Sequence, residues 1–173
     1  MVGEAVARIS TAAENADVAV SVEVDPELVV HGDRRQLGSA VFNLLDNAVK
    51  YSPPGSEVVV AASSSTGRFE LTVADSGVGI PRRDLDRVFE RFYRVDRARS
   101  RGTGGTGLGL AIVRHVASNH VGEVSVDSTE GVGSTFTLSL PLPDGPLPDR
   151  PAPDRPAPGP LVDRPDPLPA GDQ

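Results

Sequence analysis

The spacing of apolar residues changes along the first 140 positions between a helical period and the alternation typical of strands. Helical spacing predicts four helices, over residues 4–16, from Arg34 to about Tyr51, near residues 82–90 and from Thr106 to His120. The second has the clearest limits, because Asp33 is suited to cap its start and the pair Pro53-Pro54 forbids its continuation.

Alternating apolar residues predict strands between these helices. They cover residues 18–24, 57–63, 69–75, 122–128 and 134–140, and a further short strand precedes His31. The predicted order is therefore α-β-β-α-β-β-α-α-β-β. Helices and strands do not alternate one for one, so a parallel doubly wound sheet is disfavoured. We expect an α/β fold of the α+β kind, a two-layer sandwich whose mixed sheet is covered on one face by helices.

The last fifth of the chain has a different composition from the rest. Residues 141–173 carry twelve of the sixteen prolines, repeat the triplet Asp-Arg-Pro three times and contain no aromatic residue. Such a segment cannot bury enough apolar surface to fold by itself. We therefore expect one domain over residues 1–140, followed by a disordered, proline-rich tail over 141–173.

Charge and composition exclude several classes of function. The net charge of −7 makes nucleic acid an unfavourable partner, and the absence of cysteine excludes disulfide frameworks and thiolate metal sites. The sequence has neither a run of 18 apolar residues nor a signal-peptide pattern. We expect a soluble, cytoplasmic chain without a membrane segment.

The first long helix carries a stripe of polar side chains. Asn43, Asn47 and Lys50 stand at i, i+4 and i+7, within roughly 60° of one another around the helix. Amide oxygens are neutral, hard ligands suited to Mg²⁺, and an ammonium group suits phosphate. The alternative is an ordinary solvated face, although such a face more often carries Glu and Lys than two Asn.

A glycine-rich turn follows a predicted strand at Asp75. Gly77 and Gly79 in the sequence DSGVGIP permit backbone angles and close approach that a Cβ would block. A carboxylate only accepts hydrogen bonds, so Asp75 at a pocket wall could select the amino group of adenine over the carbonyl of guanine. The alternative is a plain turn.

A second cluster of glycines precedes the last predicted helix, at positions 102, 104, 105, 107 and 109. Free backbone N–H groups at a helix start attract anions such as phosphate. The sequence is not a GxxxxGK[ST] loop, because no lysine follows. A flexible hinge is the alternative, and we expect residues 93–105 to form a mobile lid.

Taken in order, these segments resemble the catalytic and ATP-binding domain of bacterial sensor histidine kinases, within the gyrase, chaperone, kinase and mismatch-repair ATPase superfamily. The resemblance covers about residues 1–140 and rests on NLLDNAVKYSP, VADSGVGIP, VFERFYRVD, GGTGLGLAIV and GVGSTFTL. It implies the Bergerat-type ATP-binding fold. The run RFYRVDRARSR is also similar to phosphate-responsive sensor kinases of actinobacteria.

The resemblance implies a role for individual residues toward ATP and Mg²⁺. Asn47 would ligate Mg²⁺ with help from Asn43, Lys50 would contact phosphate, and Arg94 would reach the γ-phosphate; we take Asn43, Lys50 and Arg94 as catalytic. Phe89 and Phe92 would anchor the lid. The other residues expected around the nucleotide are Tyr51, stacked on adenine, Asp75, bound to its amino group, Gly77, Gly79, Gly105, Gly107, Leu108, Gly109 and, near the adenine, Thr135.

One feature of these kinases is missing from the sequence, namely the acceptor histidine on a helical hairpin. His31, His115 and His120 lie in no similar run, and we expect all three to be structural or surface residues. The expected partners are ATP, such a hairpin and, through the complete kinase, a response regulator. Two alternatives remain open: a serine kinase of the anti-sigma-factor type and a non-catalytic nucleotide-binding module.

Overall fold

One mixed sheet and three helices make up the computed structural model, which describes residues 1–25, 28–65, 67–95 and 105–142. The strands are β1 (Val18–Val24), β2 (Ser56–Ser65), β3 (Arg68–Asp75), β4 (Glu123–Thr129) and β5 (Gly133–Pro141). The helices are α1 (Val2–Ala16), α2 (Arg34–Tyr51) and α3 (Gly109–Asn119), with a single 3-10 turn at Arg82–Asp84.

The strand order in the sheet is β1-β2-β3-β5-β4. β1 pairs with β2 in parallel, whereas the other three pairs are antiparallel. The register sets Asp75, the last residue of β3, opposite Ser134 near the start of β5. The predicted mixed sheet is confirmed, and its central strands bring two distant parts of the sequence together at one edge.

All three helices pack on the same face of the sheet, with α2 between α1 and α3. Alternate residues of the central strands are buried against them: Val58, Val60, Leu71, Val73, Phe136, Leu138 and Leu140. The opposite face carries small and polar side chains, as in the row formed by Ala61, Thr72, Thr137 and Ser125. This division into a helical layer and a sheet layer confirms the predicted two-layer sandwich.

Two predicted elements differ from the structure. Residues 28–31 form no strand; Leu28 and Val30 pack against the core while Val29 is exposed, so their alternation reflects a packed loop and not a sheet ladder. The helix expected near 82–90 is the 3-10 turn followed by further turns.

The last helix also starts later than expected, at Gly109. Gly107 has a φ of +69°, a left-handed conformation that interrupts any helix beginning at Thr106. The segment between Thr106 and Gly109 is therefore a turn that presents the start of α3.

The start of α2 is fixed by its cap and by the end of α3. Asp33 Oδ1 accepts hydrogen bonds from the N–H groups of Arg35 (2.8 Å) and Gln36 (3.1 Å), as the sequence predicted, and these bonds hold the pKa of Asp33 below its usual value. The Asp33 N–H donates to His120 Nε2 at 3.0 Å, and His120 Nδ1 donates to Val116 O at 2.8 Å. These hydrogen bonds join the start of α2 to the end of α3.

The described chain ends just after β5. The N–H of Leu142 donates to Gly67 O at 2.7 Å, and its side chain packs against the core. The predicted disordered tail lies, apart from Pro141 and Leu142, outside the described residues. Within the described part, no helix combines the length and the apolar character needed to cross a membrane.

Candidate nucleotide-binding site

A cavity of about 650 Å³ opens between α2, the turn after β3, the segment before residue 95 and the start of α3. This volume is typical of a site for a nucleotide-sized ligand. Its lining comprises Asn43, Asp46, Asn47, Lys50, Tyr51, Asp75, Val78, Gly79, Ile80, Pro81, Arg83, Val88, Tyr93, Arg94, Val95, Gly105, Thr106, Gly107, Gly109, Leu110, Glu130 and Ser134.

The polar stripe of α2 forms one wall of this cavity. Asn43, Asn47 and Lys50 lie there as predicted, and Asp46 lies beside them. Sequence reasoning missed Asp46, although its position three residues after Asn43 places it on the same helix face. Leu44, Leu45 and Ala48 are fully buried on the other side, so packing fixes which face of α2 meets the cavity.

Asn43 is oriented by its own helix. Its Nδ2 donates to Ser39 O at 2.7 Å. The remaining oxygen, Oδ1, faces the start of α3, where a Cβ added to Gly109 would stand only 3.0 Å away from it. Gly109 therefore allows α2 and α3 to approach closely beside the cavity, and Asn43 presents an oxygen there.

Two cations flank Gly105. Arg94 Nη1 donates to Gly105 O at 2.7 Å, and a Cβ added to Gly105 would lie 2.6 Å from Lys50 Nζ. Burial lowers the pKa of Lys50; nearby Asp46 raises this pKa, and Arg94 lowers it further. The part of the cavity beside Gly105 therefore carries two positive charges suited to an anion.

Asp75 contributes a carboxylate to the lining of the same cavity. Its Oδ1 accepts hydrogen bonds from the N–H groups of Gly77 (2.8 Å) and Ser134 (3.3 Å). Burial raises the pKa of Asp75, and these two hydrogen bonds oppose the rise. The carboxylate is held at a fixed point of the wall and can only accept hydrogen bonds when ionised.

The glycines of this turn fill places where no side chain would fit. A Cβ on Gly77 would collide with Tyr51 O, and one on Gly79, whose φ is +65°, would collide with Thr129 O. Gly77 itself does not line the cavity, whereas Gly79 does. Gly77 thus acts by letting the turn pack on the end of α2.

Ser134, and not Thr135, lines the cavity. Side chains alternate along β5, so Ser134 shares the helix-facing side with Phe136, whereas Thr135 faces the uncovered side of the sheet. The Ser134 hydroxyl lies 2.9 Å from the hydroxyl of Ser128. Because side chains alternate along a strand, the sequence could have placed Ser134 on the same side as Phe136, two residues later.

Tyr93 and a set of aliphatic residues form the apolar wall, which the sequence analysis left unassigned. The aliphatic members include Val78, Ile80, Pro81 and Val88. The Tyr93 hydroxyl donates to Asp84 Oδ1 at 2.6 Å, and the guanidinium of Arg87 lies 4.2 Å from the Tyr93 ring centre. Tyr51, the last residue of α2, is 37% exposed and also lines the cavity.

The two phenylalanines expected to anchor the lid differ in their packing. Phe89 meets the core residue Phe136 edge to face, with ring centres 6.3 Å apart. The Phe92 ring is 67% exposed, and its backbone adopts a φ of +63° while its N–H donates to Gly107 O at 2.8 Å. Phe89 thus packs in the core by its side chain, whereas Phe92 is bonded through its backbone.

The glycine-rich segment contributes only part of its length to the described cavity. Gly105, Gly107 and Gly109 line it, while Leu108 is the residue that precedes α3 and does not. Of the lid predicted over residues 93–105, positions 96–104, which include Gly102 and Gly104, lie outside the described residues.

Comparisons with known proteins agree with this geometry. The model of the family "Histidine kinase-, DNA gyrase B-, and HSP90-like ATPase" matches residues 32–144. The sensor-like histidine kinase SenX3 of Mycolicibacterium smegmatis is 50% identical over 141 residues, which are 82% of this chain and 37% of SenX3. The phosphate regulon sensor protein PhoR of Pseudomonas aeruginosa is 43% identical over 118 residues, which are 68% of this chain and 27% of PhoR.

A solved structure is similar as well. The mycobacterial sensor histidine kinase MprB has a TM-score of 0.70 and 37% identity, over 81% of this chain and 91% of that chain. A mycobacterial kinase and a phosphate regulon sensor among the relatives agree with the narrower resemblance to actinobacterial phosphate-responsive kinases. The chain spans less than two fifths of the length of these two curated relatives. It belongs to the family of histidine kinase-, DNA gyrase B- and HSP90-like ATPases, as an ATP-binding catalytic domain of the sensor histidine kinase type.

Proposed function

We propose that this domain transfers the γ-phosphate of Mg-ATP to a histidine on a separate dimerisation hairpin, as one step of two-component signal transduction. The observation that carries the proposal is one cavity lined both by a fixed carboxylate, Asp75, and by two cations, Lys50 and Arg94. These charges match a nucleotide, because its amino-bearing base suits the carboxylate and its phosphates suit the cations.

The adenine would lie beside Asp75. An ionised carboxylate accepts a hydrogen bond from the adenine amino group and repels the carbonyl oxygen of guanine. Tyr51, whose carbonyl oxygen lies against Gly77, offers an aromatic ring, and Ser134, whose N–H donates to Asp75, offers a hydroxyl. These contacts select the base and orient the nucleotide along the cavity.

The phosphates would lie between α2 and the start of α3. Lys50 and Arg94 converge on Gly105, and the backbone of Gly107 and Gly109 leads into a helix whose positive end faces the cavity. Phosphoryl transfer mostly requires alignment and charge neutralisation from the protein. Arg94 would contact the γ-phosphate, and Lys50 would neutralise charge on the phosphate chain.

Magnesium would be held by Asn47 with help from Asn43. The described residues contain no group of three His, Cys, Asp or Glu side chains that could bind a metal. Amide oxygens on the cavity face of α2 fit Mg²⁺, which keeps several waters and bridges to substrate phosphates instead of requiring an all-protein cage. When bound at Asn47 and Asn43, Mg²⁺ would supply charge neutralisation for the phosphates.

The acceptor would come from outside the domain. Among the described lining residues of the cavity there is no histidine. A hairpin joined to this domain in a longer kinase would bring the acceptor to the γ-phosphate, and the kinase would then pass the phosphate to a response regulator. We further propose that the domain works in the cytoplasm, where ATP is available.

Labelled ATP tests this function. The chain alone should acquire no acid-labile, base-stable phosphate, whereas a matched hairpin domain added in trans should acquire it, slowly, because tethering supplies an effective concentration that is about millimolar for short linkers. Asn47→Ala should abolish transfer, and Asn15→Ala on the exposed surface of α1 serves as the matched control.

Three results would contradict the proposal, and they differ from one another. Acid-stable label on an added protein would indicate a serine kinase. Nucleotide binding without transfer to cognate hairpins of similar kinases would indicate a binding module. Acid-labile label on the chain alone would indicate a self-sufficient kinase.

A further inference from the structure

Asp84 is a buried carboxyl group with no role so far in nucleotide binding. It closes the 3-10 turn and is only 7% exposed. A carboxylate removed from water needs hydrogen-bond partners, because an unpaired buried charge is costly. The Tyr93 hydroxyl supplies one at 2.6 Å, whereas the guanidinium of Arg83 stays 3.6 Å away and is itself 82% exposed.

Tyr93 is held by two further contacts, one to its ring and one to its backbone. Arg87 covers one face of its ring with the guanidinium 4.2 Å from the ring centre. The Tyr93 N–H donates to Glu90 O at 3.3 Å. The hydrogen bond to Asp84 raises the pKa of the Tyr93 phenol, which keeps the hydroxyl protonated as a donor. Tyr93 therefore has a fixed position in the cavity wall.

The residue before Tyr93 adds a constraint on the backbone. Phe92 has a φ of +63°, and its N–H donates to Gly107 O at 2.8 Å. Gly107 leaves just enough room, since a Cβ there would lie 2.9 Å from the Phe92 backbone. Phe92 and Tyr93, the two residues before Arg94, are therefore both held in place.

Arg94 follows immediately and reaches Gly105 O with Nη1 at 2.7 Å. A flexible four-bond side chain reaches a particular phosphate only if its Cα is held in place, and small displacements of a positioning group lower transfer rates strongly. We infer that Asp84 is a positioning residue that sets the place of Arg94 through Tyr93, so that the domain distinguishes ATP from ADP. The inference rests on the proposed contact of Arg94 with the γ-phosphate.

The test compares affinities for Mg-ATP and Mg-ADP by calorimetry in the whole chain. Tyr93→Phe keeps the ring and removes only the donor. It should lower ATP affinity about three- to tenfold, because the lost hydrogen bond to a charged group no longer holds Arg94 in place. ADP affinity should change less than about twofold. Asp84→Asn keeps an acceptor oxygen for the Tyr93 hydroxyl. The ratio of ATP affinity to ADP affinity in this variant should therefore stay within about twofold of that in the unaltered chain.

Two further variants complete the design. Asp84→Ala should reduce the ratio as Tyr93→Phe does, and the double variant should lose no more than either single one, because both remove the same contact. Asp86→Ala, an exposed carboxyl two residues away that does not line the cavity, is the matched control and should leave both affinities unchanged. Thermal unfolding identifies any variant that fails to fold.

Arg94→Ala separates the two levels of the argument. If Arg94→Ala lowers the ATP to ADP ratio while Tyr93→Phe leaves it unchanged, or lowers both affinities equally, the positioning role of Asp84 is wrong and the role of Arg94 stands. If Arg94→Ala leaves the ratio unchanged, the proposed γ-phosphate contact is wrong and the inference about Asp84 fails with it.

Discussion

The ammonium group of Lys50 lies so near Gly105 that a methyl group at Gly105 would come within 2.6 Å of Nζ. Lys50 is on α2 and Gly105 lies in the turn before α3, so this approach joins two walls of the cavity. It also explains why burial, the main cause, lowers the pKa of Lys50. The positive charge of Lys50 is therefore lost at a lower pH than that of an ordinary lysine.

We predict that nucleotide affinity declines at alkaline pH, starting at a lower pH than an ordinary lysine would give. In the proposed complex, protonated Lys50 contacts phosphate, so affinity should be lost as pH rises through its lowered pKa. Asp46→Asn removes the neighbour that raises this pKa and should move the decline to still lower pH. Asp127→Asn on β4 is the control, and calorimetry over a pH series is the measurement. If the pH dependence of affinity is the same in Asp46→Asn as in the unaltered chain, the effect of Asp46 on the pKa of Lys50 is refuted.

Asp75→Asn should reduce ATP affinity about ten- to a hundredfold, because a charge-assisted hydrogen bond to the adenine amino group is lost. Its preference for ATP over GTP should also disappear. In the unaltered chain, affinity should fall on acidification through the raised pKa of Asp75, and this acid limb should be absent from Asp75→Asn. Equal affinity of the unaltered chain for ATP and GTP would rule out this role.

The same substitution should stabilise the nucleotide-free domain. Asp75 has a pKa raised by burial, so its contribution to stability is present below the pKa of the unfolded chain and is lost as pH rises through the folded value. At neutral pH the ionised group therefore destabilises the fold, and removing its charge should raise the melting temperature. Near pH 3 the difference should vanish. A lower melting temperature at neutral pH would mean that the bonds from Gly77 and Ser134 require the charge.

Asn47→Ala should remove most of the dependence of ATP affinity on magnesium. Asn47 is only partly buried and faces the cavity, so its loss should alter stability by less than about 0.5 kcal/mol. Affinity measured with Mg²⁺ and with EDTA should differ strongly in the unaltered chain and little in the variant. Retention of the full magnesium effect in Asn47→Ala would exclude this residue as a ligand.

Gly79→Ala and Gly55→Ala form a matched pair. Both glycines have left-handed backbones, with φ of +65° and +77°, but only Gly79 lacks room for a Cβ, against Thr129 O. Gly55→Ala should cost about 1 kcal/mol, and Gly79→Ala roughly 1–2 kcal/mol more together with a loss of nucleotide affinity. Denaturant unfolding measures both, and equal costs would show that crowding at Gly79 is relieved by movement of the turn.

Elements with strong local signals were predicted well from the sequence. The limits of α2 follow from the capping carboxylate of Asp33 and from Pro53, which act within a few residues. The strands follow from their alternation, and the mixed sheet from the element order. The polar stripe of α2 was found because helical spacing alone decides which side chains share a face.

The remaining features depend on contacts between distant residues. The alternation of Leu28, Val29 and Val30 has the same period as a strand, and only the absence of a neighbouring strand in the described part distinguishes it from one. The late start of α3 depends on the conformation of Gly107, which packs on Phe92. The hydrogen bond between Tyr93 and Asp84 joins residues of an irregular segment, so no periodic pattern in the sequence predicts it. The position of Ser134 in the cavity could have been predicted from the alternation of β5, but the family resemblance pointed to Thr135.

The hydrogen bonds of His120 decide its chemistry in a domain whose relatives phosphorylate histidine. A neutral imidazole has one in-plane lone pair, and here it accepts the N–H of Asp33 while the other nitrogen donates to Val116 O. Attack on phosphorus needs that lone pair. His120 could act as a nucleophile only after the start of α2 had opened, so the fold itself keeps this imidazole out of the phosphoryl transfer that we propose for the domain.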